Sequence, residues 1–79
     1  MISLRKRLFP NPTEDYFNIS TEEDGIHTIK AFGIDGTLLI HDQFESRMSV
    51  DISSWSSGTY TISLIAPSGE FNTTKLIKL

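Results

Sequence analysis

The chain has 79 residues, of which 38% are hydrophobic and 22% are charged, and its formal net charge is −3 at pH 7. This length allows one small domain with a modest core, and the lack of cysteine excludes disulfides and thiol chemistry. The acidic balance argues against nucleic acid or an anionic membrane as partner, and no apolar run approaches the roughly 20 residues of a membrane span.

The first part of the chain predicts an edge strand followed by a rigid turn. Residues 1–7 are interpreted as a linker or an edge strand, because Ile2, Leu4 and Leu8 share one parity and the basic residues 5–7 suit a solvated edge. The run Leu8-Phe9-Pro10-Asn11-Pro12-Thr13 follows. Proline has no amide hydrogen to donate to a neighbouring strand, so this Pro-Asn-Pro turn lies outside any central strand.

Residues 15–20 predict the next strand, and an acidic turn at residues 21–25 follows it. Three consecutive carboxylates could supply half of a cation site. An Asp-Gly turn in solvent explains the same residues, so we expect no metal there.

Residues 26–34 and 37–44 predict the clearest hairpin in the sequence. Asp35-Gly36 between them favours a type I′ turn, which needs positive φ at both central residues. In the first strand, Ile29 and Ala31 face one side. The run Leu38-Leu39-Ile40 is apolar at both parities, which indicates either burial from both sides or a bulge that shifts the register.

The segment from Val50 to Leu64 contains the strongest strand pattern. Its second half alternates between a face predicted to be buried, Tyr60, Ile62 and Leu64, and a face predicted to be wet, Thr59, Thr61 and Ser63. We expect Trp55 to plug one end of a β-sandwich. We expect Tyr60 to pin a corner, with its hydroxyl bonded to backbone a few residues upstream. Gly58 lets the chain turn into the strand.

Residues 70–79 complete a count of roughly seven short strands with a turn signal about every 8 to 12 residues. No apolar stripe with helical spacing is present. The pattern predicts an all-β fold, a small antiparallel sandwich.

The usual arrangements of catalytic residues are missing, and we expect no enzymatic activity and no cofactor. His27 and His41 flank the predicted hairpin, but two histidines without a third ligand make a poor zinc site, so we interpret both as surface residues. Neither lies beside a serine in a nucleophile motif, and no glycine-rich phosphate loop is present.

Four stretches, taken together, carry a family likeness. They are Leu8 to Thr13 with Phe17-Asn18-Ile19 after it, Ile29 to Gly36, Val50 to Tyr60, and Lys75 to Lys78. In that order they supply an aromatic-Pro-Asn-Pro motif, a central strand ending in Gly, an aspartate followed by a bulky residue and Gly-x-Tyr, and a basic-apolar terminal motif. In this order and spacing, residues 8–79 resemble the C-terminal sorting domain of the type IX (Por) secretion system.

The resemblance implies an immunoglobulin-like antiparallel β-sandwich of about seven short strands. Residues 1–79 would be a single C-terminal sorting domain excised from a larger secreted protein. Such a domain directs its cargo across the outer membrane of a Gram-negative bacterium, is recognised by the type IX translocon, and is commonly removed by a sortase-like peptidase. The parent would reach the periplasm by a separate N-terminal signal and end secreted or on the cell surface.

The partners that follow are the translocon and the peptidase, with no nucleic acid and no direct insertion into the membrane. Exposed sandwich edges are also compatible with a weak homodimer. The candidate recognition residues are Pro10, Asn11 and Pro12 of the turn, and Lys75, Leu76, Ile77 and Lys78 of the terminal strand. The residues expected to define the fold are Gly36, Trp55, Gly58 and Tyr60.

One physical route to recognition is strand addition, in which the extended segment Lys75 to Leu79 pairs with a partner's sheet through its backbone. Leu76 and Ile77 would supply side-chain specificity, and replacing both by Asp is expected to block export without unfolding the domain. An alternative function is a carbohydrate- or protein-binding module appended to a secreted enzyme, with Trp55 as its exposed platform. A third is a purely structural spacer.

Overall fold

The computed structural model describes residues 6–79, so Ile2 and Leu4 of the predicted first strand lie outside it. Residues 6–79 form seven strands: β1 (Lys6–Phe9), β2 (Tyr16–Thr21), β3 (His27–Phe32), β4 (Leu38–Phe44), β5 (Arg47–Asp51), β6 (Gly58–Ile65) and β7 (Phe71–Lys78). The same range holds no helix that could cross a membrane.

The strands form two antiparallel sheets that pack as a sandwich, with the orders β1-β2-β5 and β4-β3-β6-β7. The predicted all-β antiparallel sandwich of about seven strands is confirmed. The core between the sheets consists of Phe17, Ile19, Ile29, Ala31, Phe44, Val50, Ile52, Ile62, Leu64 and Leu76. Strand parity explains most of this core, because every second residue of β3 and of β2 is buried.

The β3–β4 hairpin lies where Asp35-Gly36 predicts it, but the prediction of a type I′ turn is wrong. A type I′ turn would need positive φ at both Asp35 and Gly36. Gly36 has φ 87°, but no residue other than glycine has positive φ in the described part of the chain, so Asp35 does not. The Gly36 amide donates to the Gly33 carbonyl at 3.0 Å, and the Gly33 amide donates to the Thr37 carbonyl at 2.9 Å. This is the three-residue loop in which Gly36 takes the positive φ after an ordinary turn.

The same hairpin contains a β-bulge. Ala31 pairs with Ile40 and Phe32 pairs with Leu38, so Leu39 has no partner in the ladder. Of the two explanations for the apolar run Leu38-Leu39-Ile40, the bulge is confirmed. Burial from both sides is wrong, because Leu38 and Leu39 are 49% and 43% exposed.

Strand β6 is covered on both faces at one position. Ile62 and Leu64 are buried as predicted, but the prediction of a wet Ser63 is wrong, because this residue is also buried. Ser63 pairs with Lys30 on one side and with Thr73 on the other. A small side chain between two longer cross-strand neighbours loses its contact with solvent.

The sandwich is less tightly closed between the edge strands β1 and β7. An open groove of about 300 Å³ lies there, with Leu8 and Asn11 on one side and Asn72 and Thr74 on the other. Where β7 begins, Lys6 Nζ lies 3.6 Å from a carboxylate oxygen of Glu70. This side of the sandwich brings the Pro-Asn-Pro turn close to the terminal strand.

Candidate functional site

Asn11 ties the Pro-Asn-Pro turn to the outer edge of β7. Its Nδ2 donates to the Lys75 carbonyl at 2.8 Å, and its Oδ1 accepts from the Ile77 amide at 3.0 Å. A carboxamide offers one acceptor and one donor side, so this side chain pairs with a strand edge as a peptide group would. The flanking bonds Phe9–Pro10 and Asn11–Pro12 are both cis.

Thr13 continues the same contact with its backbone. Its amide donates to the Ile77 carbonyl at 2.9 Å, and its carbonyl accepts from the Leu79 amide at 2.8 Å. The Thr13 side chain is buried and donates to the carbonyl of Tyr16. Residues 10–13, which we call the edge strap, therefore cover the outer edge of the terminal strand from Lys75 to Leu79.

The edge strap corrects the simple form of strand addition predicted for Lys75 to Leu79. The Lys75 carbonyl, both backbone groups of Ile77 and the Leu79 amide are already bonded within the domain. Backbone groups alternate in direction along an antiparallel strand, so those of Phe71 and Thr73 also point outward. No residue of the 6–79 range pairs with the outer edge of β7 at Phe71 and Thr73.

The terminal-motif side chains differ in their environment. Leu76 is completely buried in the core, whereas Ile77 is 44% exposed. Lys75 is exposed and Lys78 is half-buried. The expectation that Asp can replace both Leu76 and Ile77 without unfolding the domain is therefore wrong for Leu76. The carboxylate of the new aspartate would be buried there without a partner. Lys75, Ile77 and Lys78 are the terminal-motif residues whose side chains reach solvent.

The predicted corner is present. Tyr60 Oη donates to the Ser56 carbonyl, four residues upstream, and the centres of the Tyr60 and Trp55 rings lie 4.7 Å apart. Both aromatic residues pack against the core, and Trp55 is only half-buried. The indole is therefore partly covered by its contacts with Tyr60 and the core, whereas the binding-module alternative requires an exposed platform.

Asp51 shapes the chain that leads to Trp55. Its Oδ1 accepts from the Ser53 amide at 2.9 Å. This backbone bond, followed by the side-chain bond to the same residue, holds the pKa of Asp51 below its ordinary value. The acidic residue of the Val50 to Tyr60 motif therefore acts as a turn-forming acceptor.

The two histidines do not meet. His41 is exposed and pairs with Lys30, whereas His27 pairs with Phe44. The surface interpretation is wrong for His27, which is fully buried and stacks on Phe44 with the ring centres 5.4 Å apart. Its Nδ1 lies 3.1 Å from the Gly25 carbonyl and so carries the proton, while Nε2 has no partner in the described residues.

The sequence predicts both segments that form this contact, the Pro-Asn-Pro turn and the terminal strand, but not the contact between them. Thr13 was no candidate, because it acts through its backbone, which no side-chain pattern reports. The burial of His27 did have a signal, since it shares the parity of Ile29 and Ala31.

The fold and this contact define a small β-sandwich domain whose early turn is fastened to its terminal strand. Residues 7–79 match the model of one protein family, the secretion system C-terminal sorting domain. The match spans nearly the whole chain, so the chain belongs to this family, and the resemblance to type IX sorting domains is confirmed. Membership implies a protein that is secreted or exported to the cell surface and that contacts the secretion machinery. The search of curated proteins found no match.

Proposed function

We propose that this domain is the signal by which the type IX translocon recognises a secreted cargo protein, and that a sortase-like peptidase then removes it. The observation that supports this most is the bond pair from Asn11 to Lys75 and Ile77. It joins the aromatic-Pro-Asn-Pro motif and the basic-apolar motif, which lie at opposite ends of the sequence, into one surface. A signal surface of this kind exists only when the domain is folded.

The recognition surface consists of the edge strap and the exposed side chains beside it. Pro10, Asn11 and Pro12 are exposed, as are Lys75 and Ile77 on the terminal strand. They combine a positive charge with apolar groups whose backbone is already held in place. A partner that binds such a surface loses little entropy in ordering it. Leu76 supports this surface from the core.

A secretion assay tests this proposal. Residues 1–79 are fused behind a periplasmic reporter in a strain with a working type IX system, and Ile77→Asp is compared with Phe71→Asp. Both residues lie in β7, are 44% and 60% exposed, and share one parity, but only Ile77 contacts the edge strap. We expect Phe71→Asp to reach the surface or the medium and Ile77→Asp to stay in the periplasm.

Two further readouts make the assay decisive. Each variant is purified and its folding checked by backbone amide spectra, so that failed export is separated from unfolding. The mass of the exported reporter shows whether the domain has been cut off. Normal export of a folded Ile77→Asp fusion would count against recognition at this surface, and an exported reporter that keeps its full mass would count against removal.

A further inference from the structure

The outer face of the three-stranded sheet carries an open groove of about 610 Å³. Its described lining includes Arg7 and Phe9 from β1, Asn18 and Ser20 from β2, and Arg47 and Ser49 from β5. These residues alternate with the core residues of the same strands, so their side chains point away from the core. The groove has no part in the edge strap.

Two arginines lie in one row across this face. Arg7 pairs with Ser20, and Ser20 pairs with Arg47, so the two arginines flank one serine from opposite sides. With neighbouring strands about 4.8 Å apart, their backbones are separated by roughly 10 Å. Both side chains are exposed. Guanidinium groups on flexible side chains can therefore close from two sides on a small group above the serine hydroxyl.

A second row of cross-strand neighbours, next to the row with the two arginines, helps to position Arg7. Phe9 pairs with Asn18, and Asn18 pairs with Ser49, whose hydroxyl is bonded to the Asn18 side chain. The guanidinium carbon of Arg7 lies 5.4 Å from the centre of the Phe9 ring. This cation–π contact holds Arg7 over the sheet without using the hydrogens that its guanidinium can donate.

Neither arginine forms an ion pair with a carboxylate within residues 6–79. The acidic residue that lines the groove, Glu22, has an interaction of its own. The chain as a whole is acidic, with a net charge of −3, so two arginines in one row without a carboxylate partner in the described range are a local concentration of positive charge. Arginine binds planar and tetrahedral oxyanions through paired N–H groups.

We propose that the row Arg7–Ser20–Arg47 is a binding site for a phosphate group, either free or carried by a sugar. The two guanidinium groups bind the oxyanion from opposite sides, and the Ser20 hydroxyl donates a hydrogen bond from below. Phe9 is a positioning residue that keeps Arg7 over the row. This site is independent of the recognition surface on the edge strap, and export is not needed to detect it.

Titrations of the isotope-labelled chain at constant ionic strength, followed by backbone amide spectra, test this. The probes are inorganic phosphate, glucose 6-phosphate and glucose. We expect saturable shifts centred on Ser20 and Arg47 with both phosphates and none with glucose. Tighter binding of glucose 6-phosphate than of inorganic phosphate identifies a sugar-borne phosphate as the better ligand, and equal binding identifies the oxyanion alone.

Variants then assign the shifts to the row. Arg7→Gln and Arg47→Gln should each weaken binding about tenfold, since each removes one charge-assisted contact. Lys30→Gln makes the same change of charge on the other sheet and should leave binding unaltered. All three side chains retain contact with solvent, so dispersed spectra are expected throughout. The absence of saturable shifts, or equal loss in Lys30→Gln, would overturn the proposal.

Discussion

Asn11 Oδ1 accepts the amide hydrogen of Ile77 across 66 positions of the sequence. With the companion bond to Lys75, one side chain fills the place of an additional strand at the edge of the four-stranded sheet. Unpaired edges invite association with other chains, and natural sheets commonly cover them. Here the cover is a turn from the start of the same domain.

Replacing Asn11 by Ala should loosen this edge selectively. Two hydrogen bonds at an exposed site are lost, so the free energy of unfolding should fall by about 1–2 kcal/mol. Hydrogen exchange of the Ile77 amide should accelerate, because that amide loses its acceptor. Asn72→Ala is the matched control. Asn72 is exposed and lies in β7, the strand of Ile77, and its side chain makes no hydrogen bond among residues 6–79. Unchanged protection of Ile77 in Asn11→Ala would contradict the role of Asn11.

Truncation should destabilise the domain far more at Leu76 than at Ile77. Leu76→Ala removes a side chain with no exposed surface and should reduce the free energy of unfolding by about 2–5 kcal/mol. Ile77→Ala removes one that is 44% exposed and should cost about 1 kcal/mol or less. Urea denaturation of both variants measures the difference. Equal losses would mean that burial does not separate the two positions.

Gly25 is the glycine least able to gain a side chain. It has φ 105°, and a Cβ built there would lie 2.7 Å from Pro67 Cγ. Gly69 has a similar φ of 95° with nothing within 4 Å of its Cβ position. Thermal unfolding should therefore show a larger loss for Gly25→Ala than for Gly69→Ala, where positive φ alone costs about 1–2 kcal/mol.

The added loss at Gly25 has its own test. If contact with Pro67 causes it, Gly25→Ala should cost less in a Pro67→Ala background than in the parent chain, because Cγ at 2.7 Å is removed although Cβ at 3.1 Å remains. For a domain of this size 1 kcal/mol corresponds to a shift of about 4–8 °C in the unfolding temperature, which is readily measured. An equal cost of Gly25→Ala in the two backgrounds would show that the contact is not the cause.

Acid should weaken the domain through Asp35 and Asp51. The backbone amides of Thr37 and Ser53 hold the pKa of each carboxyl below its ordinary value of 3.8. A carboxyl with a lowered folded-state pKa stabilises the fold above the unfolded-state pKa, and this contribution is lost as pH falls through the folded-state pKa. The unfolding temperature of Asp35→Ala/Asp51→Ala should therefore fall less steeply below about pH 4 than that of the parent chain.

Asp24→Ala controls for the loss of one negative charge when it is compared with Asp35→Ala and Asp51→Ala singly, because this exposed loop carboxylate has no hydrogen bond in the described structure. Both tested carboxyls are fully solvated, so the effect should be small and should weaken in salt. A double variant with the same acid dependence as the parent would exclude these two turns as its source.

Local pattern predicted the parts of the fold that depend on strand parity. Ile29, Ala31 and Ile62 are buried because alternation alone places them on the inner face. Ser63 obeys the same alternation but is also buried, because its exposure depends on Lys30 and Thr73 in neighbouring strands. Parity gives the direction of a side chain, and sheet order decides whether that direction is solvated.

The candidate site shows the same division. Proline chemistry predicted a turn around Asn11, but its partners lie 64 and 66 positions away, beyond any local pattern. At Asp35-Gly36 the sequence located the turn, and the φ of one residue decided its type. The sequence Lys75-Leu76-Ile77-Lys78 assigns Leu76 to the terminal motif, and only the packing of Leu76 shows that it belongs to the core.

The length of chain between the edge strap and β7 has a kinetic consequence. Strands β6 and β7 are joined by a short turn in which the Gly69 amide bonds to the Ala66 carbonyl at 2.8 Å, so this hairpin can form early. Asn11 reaches β7 only after a loop of 64 residues has closed, which is entropically slower. In that interval the edge from Lys75 to Leu79 is bare and can pair with any strand nearby. The speed of strap closure, more than the stability of the finished fold, therefore sets how long a newly made domain is open to pairing with its neighbours.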